Sequence, residues 1–355
     1  MRKTAVSVSK GKKPTGSNTL PAFCVAFLIL LLACGCADGT RQDSSTHFMM
    51  DTIVQIDVYG KEQSKNQKAI KQAFQVMQRI AEKTDRYGQG ELSYVNKNAG
   101  IKPGEVSRDL LIMAGFAKLQ QNSEVDITVG PLVDVWNAAR EQKILPDREQ
   151  IAAALDKTGM GKLLVDKEKG TLYLLESGMS LDFGAIAKGY AVEQAGQFLS
   201  KDKDIVCALV NGGGNIKVVG SKPDNKAWRI GIQDPRALSD NIGVLNLKAG
   251  EAVATSGDYQ RYYEVDGKRY HHLLQPKTGY PAAFNISVTA VTNDAFLADY
   301  YSTMLFLMPT QQALTFVEQT KDLHAIIIGS DEKIYISSDL KDSFEKNEKL
   351  AWLFN

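Results

Sequence analysis

The sequence predicts an α+β protein of mixed or antiparallel sheets packed with helices, and three observations carry that expectation. Stretches of period-2 alternation such as "TIVQIDVYG" (52–60) stand beside stretches of helical period such as "NQKAIKQAFQVMQRIAEKTD" (66–85), where Ile70, Phe74, Met77 and Ile80 share one face. The two kinds come in blocks rather than in strict βα units, which argues against a doubly wound parallel sheet. Glycine-rich joints such as "NGGGNIKVVG" (211–220) connect strand to strand, as tight hairpins do.

In chain order, the N-terminus comes first. Arg2, Lys3, Lys10, Lys12 and Lys13 precede the apolar run "AFCVAFLILLLAC", the pattern of an export signal over residues 1–33. The run is shorter than the ~20 residues a membrane span needs, though an uncleaved anchor helix is the other reading. Both place the domain outside the cytoplasm. "LLACGC" resembles a bacterial lipobox, with Cys34 or Cys36 as the lipidated residue; Leu31, three residues before Cys34, favours Cys34. The expected location is the extracytoplasmic side of a bacterial membrane, held by a lipid anchor. Polar residues from 34 to 46 then suit a tether, and residues 47–355 a single domain whose length allows two lobes. Three of the four cysteines lie at this end, so Cys207 alone cannot build a disulfide framework. The net charge of +1 among 355 residues offers no basic excess for nucleic acid.

Further along, "DLLIMAGFAKLQQNS" (109–123) and "REQIAAALDKTG" (148–159) have helical character, while "GTLYLLE" (170–176), "CALVNGG" (207–213) and "AWRIGIQDP" (227–235) have strand character. "GAIAKGYAVEQAG" (184–196) has glycines and a lysine but fits neither phosphate fingerprint. Lys188 precedes Gly189 and Tyr190 follows in place of Ser or Thr, so it is not a Walker loop; Gly184 and Gly189 lack the intermediate glycine of a dinucleotide turn. The segment is expected as a strand "MSLDF" (179–183), a turn, and a helix "AKGYAVEQAGQFLS" (187–200). One reading is a plain strand-to-helix junction. The other is an anion site, since a helix start offers free N–H groups and Lys188 adds charge.

"NDAFLADYYSTMLFLM" (293–308) is apolar and helical, yet Asp299 and Thr303 stand four apart on one face. A carboxylate there needs a partner. A lysine is one; a hard cation such as Mg²⁺, which takes oxygen ligands and few carboxylates, is the other. Finally, in "KRYHHLL" (268–274) alternation sends only one of His271 and His272 inward, and either could act as acid or base near neutrality.

Taken in order, "MDT" (50–52), "GELSYVN" (90–96), "VDITVGPLVDVW" (125–136), "LDFGAIAKGYAVEQA" (181–195), "LVNGGGNIKVVG", "WRIGIQDP", "ATSGDY", "HHLLQPKTGYP" and "SVTAVTNDAFLADYYSTMLF" span nearly the whole exported chain. The sequence resembles the ApbE family of FAD:protein FMN transferases, often exported lipoproteins. The resemblance implies Mg²⁺-dependent transfer of FMN from FAD to a Thr or Ser hydroxyl of an extracytoplasmic acceptor flavoprotein, such as a subunit of an electron-transfer complex, with release of AMP. It implies FAD contacts at Met50, Tyr87, Glu124, Val125, Asp126, Asp182, Lys188 and Leu274. Magnesium would take the main-chain carbonyl of Ala185 with Asp299 and Thr303, and His272 is the catalytic candidate. Three positions depart from the family: "QPKTG" for "DPRTG" places Gln275 where a carboxylate is usual, "MDT" replaces "MGT", and "GGN" replaces "GGD" at Asn215. An FAD pyrophosphatase yielding FMN and AMP, and an FAD-binding lipoprotein without chemistry, are the competing functions.

Overall fold

An eight-stranded sheet, antiparallel at every pairing, organises the chain. In spatial order its strands are β1 (Arg41–Met49), β2 (Thr52–Gly60), β6 (Ile205–Gly212), β7 (Asn215–Val219), β10 (Ala252–Gly257), β13 (Asn285–Thr292), β14 (His324–Gly329) and β15 (Ile334–Ile336). Three smaller sheets join β3 (Gly104–Glu105), β5 (Thr171–Leu174) and β4 (Leu163–Asp166); β16 (Phe344–Lys346), β9 (Asn241–Leu247) and β8 (Trp228–Gln233); and β11 (Tyr262–Val265) with β12 (Lys268–His271). The helices are α1 (Gln63–Thr84), α2 (Glu91–Lys97), α3 (Arg108–Leu119), α4 (Gly130–Gln142), α5 (Arg148–Leu155), α6 (Ala187–Ser200), α7 (Ala295–Phe306) and α8 (Thr310–Gln319). This computed structural model describes residues 39–354. The expected signal segment and the lipidation candidates Cys34 and Cys36 lie outside the described residues.

The α+β expectation holds, with antiparallel pairing throughout and parallel contact only at isolated bridges. Both faces of the main sheet are buried. On one face Val54, Ile56 and Val58 of β2, Ala208 and Val210 of β6, and Val288 and Ala290 of β13 pack with α1, α6 and α7. On the other, Cys207, Ile216, Val218 and Val253 meet Trp228, Leu245, Leu247 and Phe344 of the β8–β9–β16 sheet. Cys207 and Ala208 thus face opposite ways, as a pleated strand requires. All eight residues of β13 are buried because this strand lies between two covered faces. The described residues belong to one compact unit, without a separate second lobe.

Two boundaries differ from expectation. Residues 41–46, assigned to a tether on polarity, form most of β1, with Arg41 opposite Gly60 and Met49 opposite Thr52. An edge strand exposes much of its side-chain surface, so polar composition there is compatible with full backbone pairing. "MSLDF" is not a strand: only Ser180 makes a bridge, to Val129. Its neighbours instead use backbone bonds outside a ladder, as in Asp182 N–H to the Ile127 carbonyl at 2.7 Å.

A buried ion pair ties three elements together. Lys217 of β7 reaches Glu193 of α6 at 3.1 Å and donates to the carbonyls of Gly250 and Asn293. The same Glu193 carboxylate accepts the N–H of Ala295 at 2.8 Å, anchoring the start of α7. Glu193→Ala would strand the ammonium and uncap that N–H, so it should destabilise the fold by about 3–5 kcal/mol, read as a lower urea midpoint.

Candidate active site

A cavity of about 1070 Å³ opens where several chain turns meet at one side of the sheet. That volume lies just above the ~300–1,000 Å³ usual for small-molecule sites. One wall is the β1–β2 turn, Met50 and Asp51, with φ of 51° and 56°. Positive φ at both positions is the two-residue hairpin geometry that matches strand twist, normally built from Asn-Gly. This turn packs on the β6–β7 turn at Gly213, where an added Cβ would fall 2.1 Å from Thr52 Oγ1. The other walls are the entry to α6, the Asp299 face of α7, and the residues following β10 and β12.

The α6–α7 contact governs the deepest part. At Gly189 an added Cβ would lie 2.3 Å from the Ala295 carbonyl oxygen and 2.4 Å from Asp299 Cβ, so the two helices meet this closely because residue 189 is glycine. The first N–H groups of a helix lack partners within it, and Ile186 at the N-cap has no side-chain group to supply one. Asp299 does so from α7: its Oδ2 accepts the Gly189 N–H at 2.8 Å. Gly189 therefore does not bond back to Ala185, and among the described hydrogen bonds none ends on the Ala185 carbonyl. Asp299 is 4% exposed and has no ion pair among the described residues. Burial raises its pKa, while the Lys188 ammonium and the Gly189 N–H pull it back. Thr303, also buried, places Oγ1 3.1 Å from Ser256 Oγ.

A hard cation fits this donor set. Asp299, Thr303 and Ala185 all offer oxygen, and all three line the same cavity. Among the described residues no cluster of three His, Cys, Asp or Glu is present, which suits an ion bound through one or two carboxylates and substrate phosphate rather than by a protein cage. Asn215 adds a further polar group: it is 3% exposed and lines the cavity, and its buried Nδ2 closes no regular hydrogen bond but lies by the Asp299 carboxylate, whose pKa it helps to lower.

The two histidines separate as alternation requires. His271 is buried, with Nε2 2.8 Å from the Ala282 carbonyl and Nδ1 accepting from the Leu273 N–H, so both nitrogens are committed to structure. His272 lines the cavity. Its Nδ1 lies 3.2 Å from the Arg261 carbonyl, which can only accept; the proton therefore sits on Nδ1 and leaves Nε2 as the basic nitrogen. The ring keeps solvent contact through the cavity although protein crowds its other sides. That crowding, then Lys188 and Arg261, push the imidazole well below its ordinary value of 6.5.

Elsewhere on the cavity wall Tyr87 donates to Asp134 at 2.8 Å and accepts from Arg86. Arg86 bridges Asp134 at 2.9 Å and Asp182 at 3.3 Å, with 8% of its side chain exposed. Asp182 also accepts the Gly184 N–H, shaping the turn into α6. Met50, Tyr87, Val125, Asp126, Asp182, Ala185, Lys188, His272, Leu274, Asp299 and Thr303 all line this one cavity. Glu124 does not; its carboxylate pairs with Lys277 at 2.6 Å instead. Arg86, Asn215 and Ser256 line the cavity as well; the sequence marked Asn215 only as a departure from the family pattern and did not single out Arg86 or Ser256. Arg86 has partners 48 and 96 positions away, and no local spacing betrays such a contact.

Gln275 lies outside the cavity wall. Its carbonyl accepts from Thr278 and Gly279, and its side-chain amide points to the Leu307 carbonyl at the end of α7. The position builds a turn and does not touch the Asp299 site.

With this geometry in place, the chain matches the ApbE family model over residues 50–327. It is 33% identical over 271 residues to an FAD:protein FMN transferase of Klebsiella pneumoniae, covering 75% of this chain and 83% of that protein. It is 34% identical over 255 residues to the Haemophilus influenzae FAD:protein FMN transferase, covering 68% and 72%. The crystal structure of the ApbE protein from Thermotoga maritima superposes with a TM-score of 0.78 at 31% identity, over 86% of this chain and all of that one. The flavin transferase ApbE from Vibrio cholerae gives 0.74 at 25% identity, over 86% and 99%.

Gly189→Ala should force α6 from α7, lowering stability by about 1–3 kcal/mol and weakening divalent-cation binding. Urea unfolding and Mn²⁺ titration of the same variant would check both; unchanged Mn²⁺ affinity would disconnect the helix contact from the cation site.

Proposed function

The chain belongs to the ApbE family and is a flavin transferase, and from that premise we propose that it transfers FMN from FAD, with Mg²⁺, to a threonine or serine hydroxyl of an extracytoplasmic acceptor protein. The observation that carries this reading is the buried Asp299–Thr303 pair facing Lys188 and His272 across one cavity. The acceptor oxygen forms a bond to the FMN phosphorus, the diphosphate P–O bond breaks, and AMP leaves.

Asp299, Thr303 and the Ala185 carbonyl would hold the cation. Magnesium bound there would offset diphosphate charge and polarise the phosphorus under attack. Lys188, in the first turn of α6, adds a positive charge where the helix start already favours anions. His272 Nε2, neutral and unprotonated, takes the proton of the attacking hydroxyl. Tyr87, held by Arg86 and Asp134, and the apolar Met50, Val125 and Leu274 supply surface for the flavin and adenine rings. The basic N-terminus, the short apolar run and the lipobox-like "LLACGC" support attachment to the outer face of a bacterial membrane through Cys34 or Cys36.

The primary test incubates the purified protein with FAD, Mg²⁺ and a candidate acceptor domain, following acceptor mass and AMP. One FMN gained per AMP, abolished by EDTA, supports transfer; AMP without modified acceptor points to the pyrophosphatase, and FAD binding without AMP to a carrier.

His272→Ala should lower the transfer rate about 10²–10⁴-fold with little change in FAD affinity. A variant that kept the full rate would remove His272 from the chemistry.

Because the imidazole is depressed, its base form persists as pH falls through 6.5. The acidic limb of kcat/KM for FAD, which reports the free enzyme, should accordingly lie below that value. A limb at or above it would contradict His272 as the base in this environment.

A further inference from the structure

Beside the proposed cation ligands runs a chain of hydroxyl groups whose direction can be worked out from one fixed end. Ser302 Oγ lies 2.9 Å from the main-chain carbonyl of Asp299. A carbonyl can only accept, so the single Ser302 proton is committed to it. Ser302 Oγ also lies 2.9 Å from Ser256 Oγ; with its own proton in use, Ser302 must accept, and Ser256 donates. Ser256 Oγ in turn lies 3.1 Å from Thr303 Oγ1, and by the same reasoning Thr303 donates. The protons run one way, from Thr303 to Ser256 to Ser302 to the Asp299 carbonyl. Ser302 is fully buried and the other two are 7% exposed, so the order is set mainly by protein.

We propose that Ser256 and Ser302 are positioning residues that turn the Thr303 proton away from the cavity and present its oxygen lone pairs to a divalent cation. The inference rests on the magnesium reading above and extends it to two residues that touch neither substrate nor metal in that reading. A hydroxyl free to rotate would spend part of its time with its proton directed at the cation, where the two repel. Anchoring the far end on a backbone carbonyl removes that orientation before the cation arrives. The Asp299 residue therefore acts twice, through its carboxylate on the cavity side and through its carbonyl at the end of the chain.

The test uses the full chain with FAD bound and Mn²⁺ as probe, free Mn²⁺ being read by electron paramagnetic resonance. Ser256→Ala and Ser302→Ala should each weaken Mn²⁺ binding by about 10–100-fold, the range for residues that orient metal ligands. In a Thr303→Val background Ser256→Ala should add less than about twofold, because a residue acting only through Thr303 has nothing left to orient. Thr289→Val serves as control: it breaks the 2.8 Å Thr255–Thr289 hydroxyl pair on neighbouring strands and should lower Tm without moving Mn²⁺ affinity. Wild-type affinity in both serine variants, or an equal loss from Ser256→Ala with and without Thr303, would overturn the proposal and leave the cation site standing. A wild-type chain that binds no Mn²⁺ would overturn both. If Ser302→Ala does not fold, Ser256→Ala on the cavity wall decides alone.

Discussion

A carboxylate buried between two helices sets the terms for the molecule around it. Removing Asp299 from water costs several kcal/mol unless something compensates its charge. Without a cation, compensation comes from the Gly189 N–H, the positive end of α6 and the nearby Lys188 ammonium. All three act only while α6 and α7 are nearly in contact, and that contact requires glycine at 189. The placement of α7 in turn depends on β10 and β13 beneath it and on Glu193, which binds the first N–H of α7 and Lys217 of β7 together. The covering of the opposite sheet face by β8, β9 and β16 keeps those strands in place. The core and the site are thus a single construction.

The same interaction explains why one carboxylate is enough. A second acid beside Asp299 would have to be desolvated against like charge, which favours protonation over metal binding. Asn215 lines the same cavity, and its neutral amide avoids that repulsion. Its buried Nδ2 closes no regular hydrogen bond, and such a donor gains most from an anionic ligand arriving in the cavity.

Much of this was legible in the sequence, for reasons that differ by residue. The helical spacing of Asp299 and Thr303 placed them on one face, since an i, i+4 pair is a local property that tertiary structure preserves. Pleat alternation separated His271 from His272 without saying which of them faces the site; the family resemblance is what named His272. The span of α6, from Ala187 to Ser200, also agrees with the sequence pattern. What was not legible is either non-local or encoded in backbone. Residues 41–46 pair with β2 through main-chain groups, which polar side chains do not reveal. Glu124 turns to Lys277, 153 positions away, although its neighbours Val125 and Asp126 face the cavity. Arg86 and Ser256 enter the site only because distant segments converge there.

Convergence of charge around His272 ties the base to its substrate. Crowding of the ring lowers the imidazole pKa, and Lys188 and Arg261 lower it further. Both are cations, and a diphosphate is the natural counter-charge for cations gathered at a helix start. An anion bound beside them would cancel the repulsion they exert on a protonated ring and raise the imidazole by the share those cations set, while the crowding of the ring continues to hold it down. A base with a very low pKa is always unprotonated but weak; one restored toward neutrality drives proton transfer better. Under the proposed function, then, crowding of the ring does most to hold it unprotonated, and the cations that add to this effect are the ones substrate neutralises. His272 becomes the stronger base when there is a phosphorus to be attacked, and the coupling needs no movement of the chain.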